Sequence, residues 1–135
     1  YKRQGATVVA RAKEMMPGQP GSTVAVRENV LAEHRAAIVK FIALHIRATE
    51  LLLNEPEKAA PHVKNFIAKG LLSEDIVLKA LKSPSSNFRS NPNDILEATQ
   101  YMHDFQKSAK IKTNVSVDGL FDLGVYKDAK AGMGN

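Results

Sequence analysis

Cysteine and tryptophan are absent from this sequence, and aromatic residues fill only 6% of its 135 positions. Without thiols there is neither a disulfide framework nor a thiolate metal site, so a metal would need histidine and carboxylate ligands. No apolar run approaches the roughly 20 residues that cross a bilayer. The longest candidate, Ile38 to Leu53, is interrupted by Lys40, His45, Arg47 and Glu50. Blocks of like charge are also lacking. Nineteen basic against 14 acidic residues leave a net charge of +5, but Lys2, Arg3, Arg11, Lys13, Arg27, Arg35, Lys40 and Arg47 are spread across the first third of the chain. Nucleic-acid binders usually cluster such charge, so no nucleic-acid partner is expected.

What is present is a globular balance, 44% hydrophobic and 24% charged, in a chain long enough for one core. The chain opens at Tyr1 with no initiator Met and no charged-then-apolar leader, which favours a start inside a longer protein. Ala6 to Ala12 and Ser22 to Arg27 are short, rich in β-branched residues and bounded by Gly or Pro, so each is predicted to be a strand. Between them the run Met-Pro-Gly-Gln-Pro-Gly-Ser, residues 16–22, is a turn-rich connection.

From Glu28 onward the pattern is helical. A long helix is expected from Arg35 to Asn54, after one possible turn at Glu28 to Ala32. Lys40, Arg47, Glu50 and Asn54 share one stripe of it, with Ile38, Phe41, Ile42, His45, Thr49 and Leu52 opposite and Leu44, Ile46, Leu51 and Leu53 on the flanks. Apolar around most of its girth, it should be the central pillar of the core. Pro56 in a first turn and Gly70 after a last one frame a helix over Pro56 to Lys69. Ser73 caps Glu74 to Lys82, Pro84 ends it, and Asn91-Pro92 opens a helix burying Ile95, Ala98, Thr99, Met102, Phe105 and Ala109. Val117 to Phe121 is a short apolar segment that docks back on the bundle. The fold class is predominantly α with one or two short strands, in a single domain. Residues 1–27 form a strand-turn-strand segment and residues 28–130 the helical part.

Four histidines were candidates for chemistry: His34, His45, His62 and His103. None stands three or four residues from another, as a helical zinc pair requires, and the carboxylates beside them, Glu33 next to His34 and Asp104 next to His103, complete no ligand set. His45 lies on the face expected inside, where a satisfied core histidine bonding a backbone carbonyl or Thr49 outweighs a ligand contact. No Gly-x-Ser-x-Gly, Walker-type loop, dinucleotide fingerprint or His-Glu-x-x-His occurs. No enzyme activity, catalytic residue, metal or cofactor is therefore expected. Asn114-Val115-Ser116 matches a glycosylation sequon too short to carry weight.

Three features in order resemble the solute receptors for nitrate, sulfonates, taurine and thiamine precursors that serve ABC importers. The first is the turn, strand and acid-containing helical turn from Pro17 to Glu28. The second is the long helix ending in Ala48-Thr49-Glu50, Asn54-Glu55-Pro56-Glu57 and Ala59-Ala60. The third is Leu78 to Leu81, then Asn91 to Phe105, then Phe121-Asp122-Leu123 with Tyr126. The likeness spans residues 15 to 130. It departs from the family before the long helix, where Glu33-His34-Arg35 carries no proline. The resemblance implies the carboxy-terminal part of a periplasmic-binding-protein-like (type 2) α/β fold with two lobes around a cleft. It further implies an extracytoplasmic or periplasmic location, peripheral attachment to the membrane through ABC permease subunits, and a small solute such as an oxyanion or sulfonate. Most ligand contacts would lie upstream; within this chain Gly21, Ser22 and Thr23 are the candidate ligand-binding residues. Lacking the other lobe, the fragment has reason to self-associate. The alternative is a free-standing helical protein-interaction module.

Overall fold

The computed structural model describes residues 5–19, 21–111 and 116–134, and these are predominantly helical. The helices are α1 (Ala12–Met15), α2 (Glu28–Asn54), α3 (Pro56–His62), α4 (Glu74–Leu81), α5 (Leu96–Ser108) and α6 (Leu123–Ala131). No strand occurs among the described residues, which corrects the expectation at both Ala6 to Ala12 and Ser22 to Arg27. Residues 6–11 are irregular and α1 begins at Ala12. Residues 22–27 are exposed and outside any regular element, and Arg27 at their end is extended, with φ −69° and ψ 142°. The reason is physical: β-branched residues favour extended backbone, but a strand forms only where a neighbour takes its N–H and C=O groups, and no described segment does so. Pro20, in the expected turn, lies outside the described residues.

The chain falls into two units. The first draws on Tyr1–Ala25 and Asn93–Phe121, the second on Val26–Pro92 and Asp122–Asn135.

In the second unit α2 packs against α3 and α6, and α3 against α4. His34 leaves the helical region, with φ −128° and ψ 30°, so α2 is a first turn and a long helix joined at a kink, the division the sequence suggested. The buried set is small: Ile46 and Thr49 from α2, Ala59 and Ala60 from α3, Val77 from α4, Val125 and Ala129 from α6. Alanines at these positions let helix axes approach closely. Ile46, read from the sequence as a flank, is the large side chain fully removed from water, while Phe41 is half-exposed.

α3 stops seven residues short of the expected end. Pro61 has no N–H for the carbonyl four residues earlier, and the backbone widens into a π turn over Val63–Ile67, where the Ala68 N–H reaches back to the Val63 carbonyl at 2.9 Å. Gly70 closes the segment with φ 74°, as a C-terminal glycine should, but Lys69 before it also turns left-handed, with φ 48°. Ser73 stands at the N-cap of α4 in extended conformation, without a side-chain capping bond.

The apolar segment at 117–121 is irregular, and beyond it lies α6, a helix not expected from the sequence. Asp122 caps it, its carboxylate accepting the Val125 N–H at 3.1 Å, and Val125 and Ala129, four residues apart, are its buried residues. Arg35 of α2 joins the same corner, donating to Asp122 at 3.1 Å and to Asp128 at 2.9 Å, and Lys130 meets Glu50 at 3.1 Å. The Val125 N–H, and after it Arg35, hold the Asp122 carboxyl below the usual aspartate range. We expect Asp122→Ala to cost about 1 kcal/mol, the ordinary value of a lost N-cap. A depressed pKa in the fold means that this contribution is complete above the ordinary aspartate pKa and is lost as the pH falls through the depressed one. The gap between wild type and Asp122→Asn in urea midpoint, followed by circular dichroism, should therefore narrow as the pH falls below the ordinary aspartate range. A constant gap would remove the carboxylate from the account.

In the first unit the turn over residues 16–19 meets α5. Gly18 has φ 77°, a Cβ placed on it would lie 3.3 Å from the Ala98 Cβ, and the Gln19 side-chain amide donates to the Ala98 carbonyl. A residue with a side chain would be both strained and crowded there. The helix expected from Asn91-Pro92 begins instead with a 3-10 turn, Pro92–Ile95, and turns α-helical at Leu96. The stripe read as buried is only partly covered: Ile95, Ala98, Thr99 and Met102 are half-buried, and Phe105 and Ala109 are exposed.

Candidate functional site

Gly21, Ser22 and Thr23 stand in the exposed run that leads from the turn to α2. An added Cβ at Gly21 would meet nothing within 4 Å, so this stretch of backbone is open to approach. The run continues through Val24 and Val26, apolar side chains that are also exposed. Two hydroxyls and a row of exposed peptide groups can donate to an anion or to an extended segment, but they form no enclosed pocket by themselves.

The histidines do not converge. His34 sits exposed at the α2 kink, its Nε2 4.0 Å from the Glu33 carboxylate. His45 is half-buried, and the bond expected near it exists in another form: the Thr49 hydroxyl donates to the His45 backbone carbonyl at 2.8 Å. His62 is exposed at the end of α3. His103 is the most covered, with 12% of its side chain exposed and its Nδ1 3.6 Å from Asp104. Among the described residues no group of three or more histidine, aspartate or glutamate side chains could hold a metal ion. Asn114 and Val115 of the sequon lie outside the described residues.

Two apolar surfaces are exposed that periodicity alone does not reveal. One is the tip after the π turn, where Phe66, Ile67 and Leu71 are each at least three-quarters exposed, beside Leu72. The other is the outward side of α2 at Phe41 and Leu44. The signal was available at the tip, because Pro61 and the adjoining Lys69-Gly70 foretell a broken helix whose apolar residues lose a common face. No helix among the described residues is long and apolar enough to cross a membrane.

Compared with models of known protein families, with curated proteins and with solved structures, the chain matches none.

Proposed function

We propose that this chain is the carboxy-terminal part of a substrate-binding protein of an ABC importer, capturing a small oxyanion, sulfonate or related solute. The observation that carries this reading is the run 22–27. Its composition is that of a strand, its backbone is exposed, and no described segment pairs with it. Such a segment gains stability only beside other strands, and the type 2 receptor fold provides a sheet at that point. The succession of turn, irregular run, long helix and shorter helices agrees with the resemblance. On this reading Gly21, Ser22 and Thr23 lie at the mouth of the cleft and offer hydroxyls and N–H groups to the solute. The protein works extracytoplasmically, by lobe closure and docking on permease subunits, and not by catalysis.

A thermal-shift series tests it, with this chain and its full-length parent titrated with nitrate, taurine, other sulfonates, bicarbonate and pyrimidines. A solute present at a hundredfold its Kd should stabilise the parent by about 2.7 kcal/mol. The fragment should show no comparable shift. A parent indifferent to every solute sinks the reading.

The tip at Phe66, Ile67 and Leu71 favours a second reading, a helical protein-interaction module, because exposed apolar clusters of this kind mark contact surfaces. That reading expects no shift with small solutes in either protein.

A further inference from the structure

Along α2, Ala37, Phe41, Leu44, Ala48 and Leu51 follow one another at alternating spacings of four and three residues, which aligns them in one stripe. The stripe faces water. Phe41 is 50% and Leu44 63% exposed, Ala37 and Ala48 are exposed, and Leu51 is half-buried. α3 and α6 engage α2 elsewhere on its surface, where Ile46 and Thr49 are buried and Glu50 meets Lys130. Lys40 and Arg47, seven residues apart, stand along one edge of the stripe; both are exposed, and neither meets a carboxylate among the described residues. Residues 37 to 51 extend over about 21 Å, the length of four helical turns.

We propose that this stripe docks an amphipathic α-helix of a separate protein, one whose apolar side is flanked by acidic residues at a seven-residue spacing. Charge complementarity selects this occupant. Carboxylates at that spacing would meet both Lys40 and Arg47 while leucine and alanine side chains interdigitate with the stripe. A second copy of this chain fits less well: antiparallel pairing centred on Leu44 sets Lys40 against Arg47 of the other copy and Arg47 against Lys40, two like-charge contacts along the same edge. One helix laid on another is a small interface, so a weak and exchangeable complex is expected. The inference stands on the α2 surface alone and does not depend on solute capture.

The probe is a synthetic amphipathic peptide with leucine and alanine on its apolar side and glutamate at both flanks, compared by fluorescence anisotropy with a version carrying lysine at the flanks. The glutamate peptide should bind about tenfold more tightly at low salt, and the preference should shrink as salt is added. The double variant Lys40→Glu, Arg47→Glu should reverse the preference, and Leu44→Lys should abolish binding of both peptides. All three side chains are exposed, and unchanged circular dichroism would establish that the variants fold. Equal affinity for the two peptides, a preference untouched by the charge reversal, or no binding of either would each overturn the proposal. So would a chain that sediments alone as a dimer and is split by Leu44→Lys, since that gives the stripe to a second copy. Solute titrations of the parent are read separately, so failure here leaves the receptor reading where it stood.

Discussion

Replacing Ile46 by alanine is expected to cost the second unit about 3 kcal/mol. Ile46 is fully removed from water, and the remaining buried residues of that unit are alanine, valine and threonine. Removing three carbons from its side chain forfeits their burial and leaves a cavity. The other buried residues have little side chain to swing into that space, so the site should collapse poorly. Measured as a change in urea midpoint at constant slope, the effect should dwarf that of Leu44→Ala on the exposed stripe, which should stay within about 0.5 kcal/mol. Similar losses for the two variants would mean that the core has been misplaced around α2.

Enlarging Ala129 to leucine should destabilise the same unit by about 2 kcal/mol. Ala129 is 1% exposed on α6, the helix that packs on α2. Leucine is nearly as good a helix former as alanine, so α6 itself loses little. The cost arises because the added carbons have no space unless the two helices separate, and separation strains the contacts of Arg35 with Asp122 and Asp128 and of Lys130 with Glu50. Ala131→Leu, on the exposed side of the same helix, is the control and should be nearly silent. Thermal melts followed by circular dichroism distinguish the two. A silent Ala129→Leu would show that α6 does not dock closely on α2.

Several helix limits were legible because they depend on residues within one turn of themselves. Pro56 starts α3, Gly70 closes the segment after it with a positive φ, Ser73 precedes α4, and the kink at His34 separates a first turn from the long helix. Pro61 is an equally local signal, and it divides the expected helix over Pro56 to Lys69 into α3 and the π turn. The start of α6 was legible too: Asp122 is a good N-cap, and Val125 and Ala129 repeat at helical spacing. Of the candidate residues, Gly21 reads as part of the turn and Ser22 and Thr23 as the start of a strand that the described residues do not form, and nothing local says what faces them.

By itself, then, the sequence determined that the chain is predominantly helical, where α2, α3 and α4 begin, and that α2 has apolar residues around most of its girth. These follow from capping, proline and glycine stereochemistry and periodicity, all of which act over a few residues. Only the tertiary structure decided that Ile46 and not Phe41 is buried, and that Arg35 reaches carboxylates 87 and 93 positions away. It likewise decided that residues 22–27 form no strand with any described segment. Burial, ion pairing and strand formation all require a second element at the right distance, and a periodic pattern names the face that could be covered without naming what covers it.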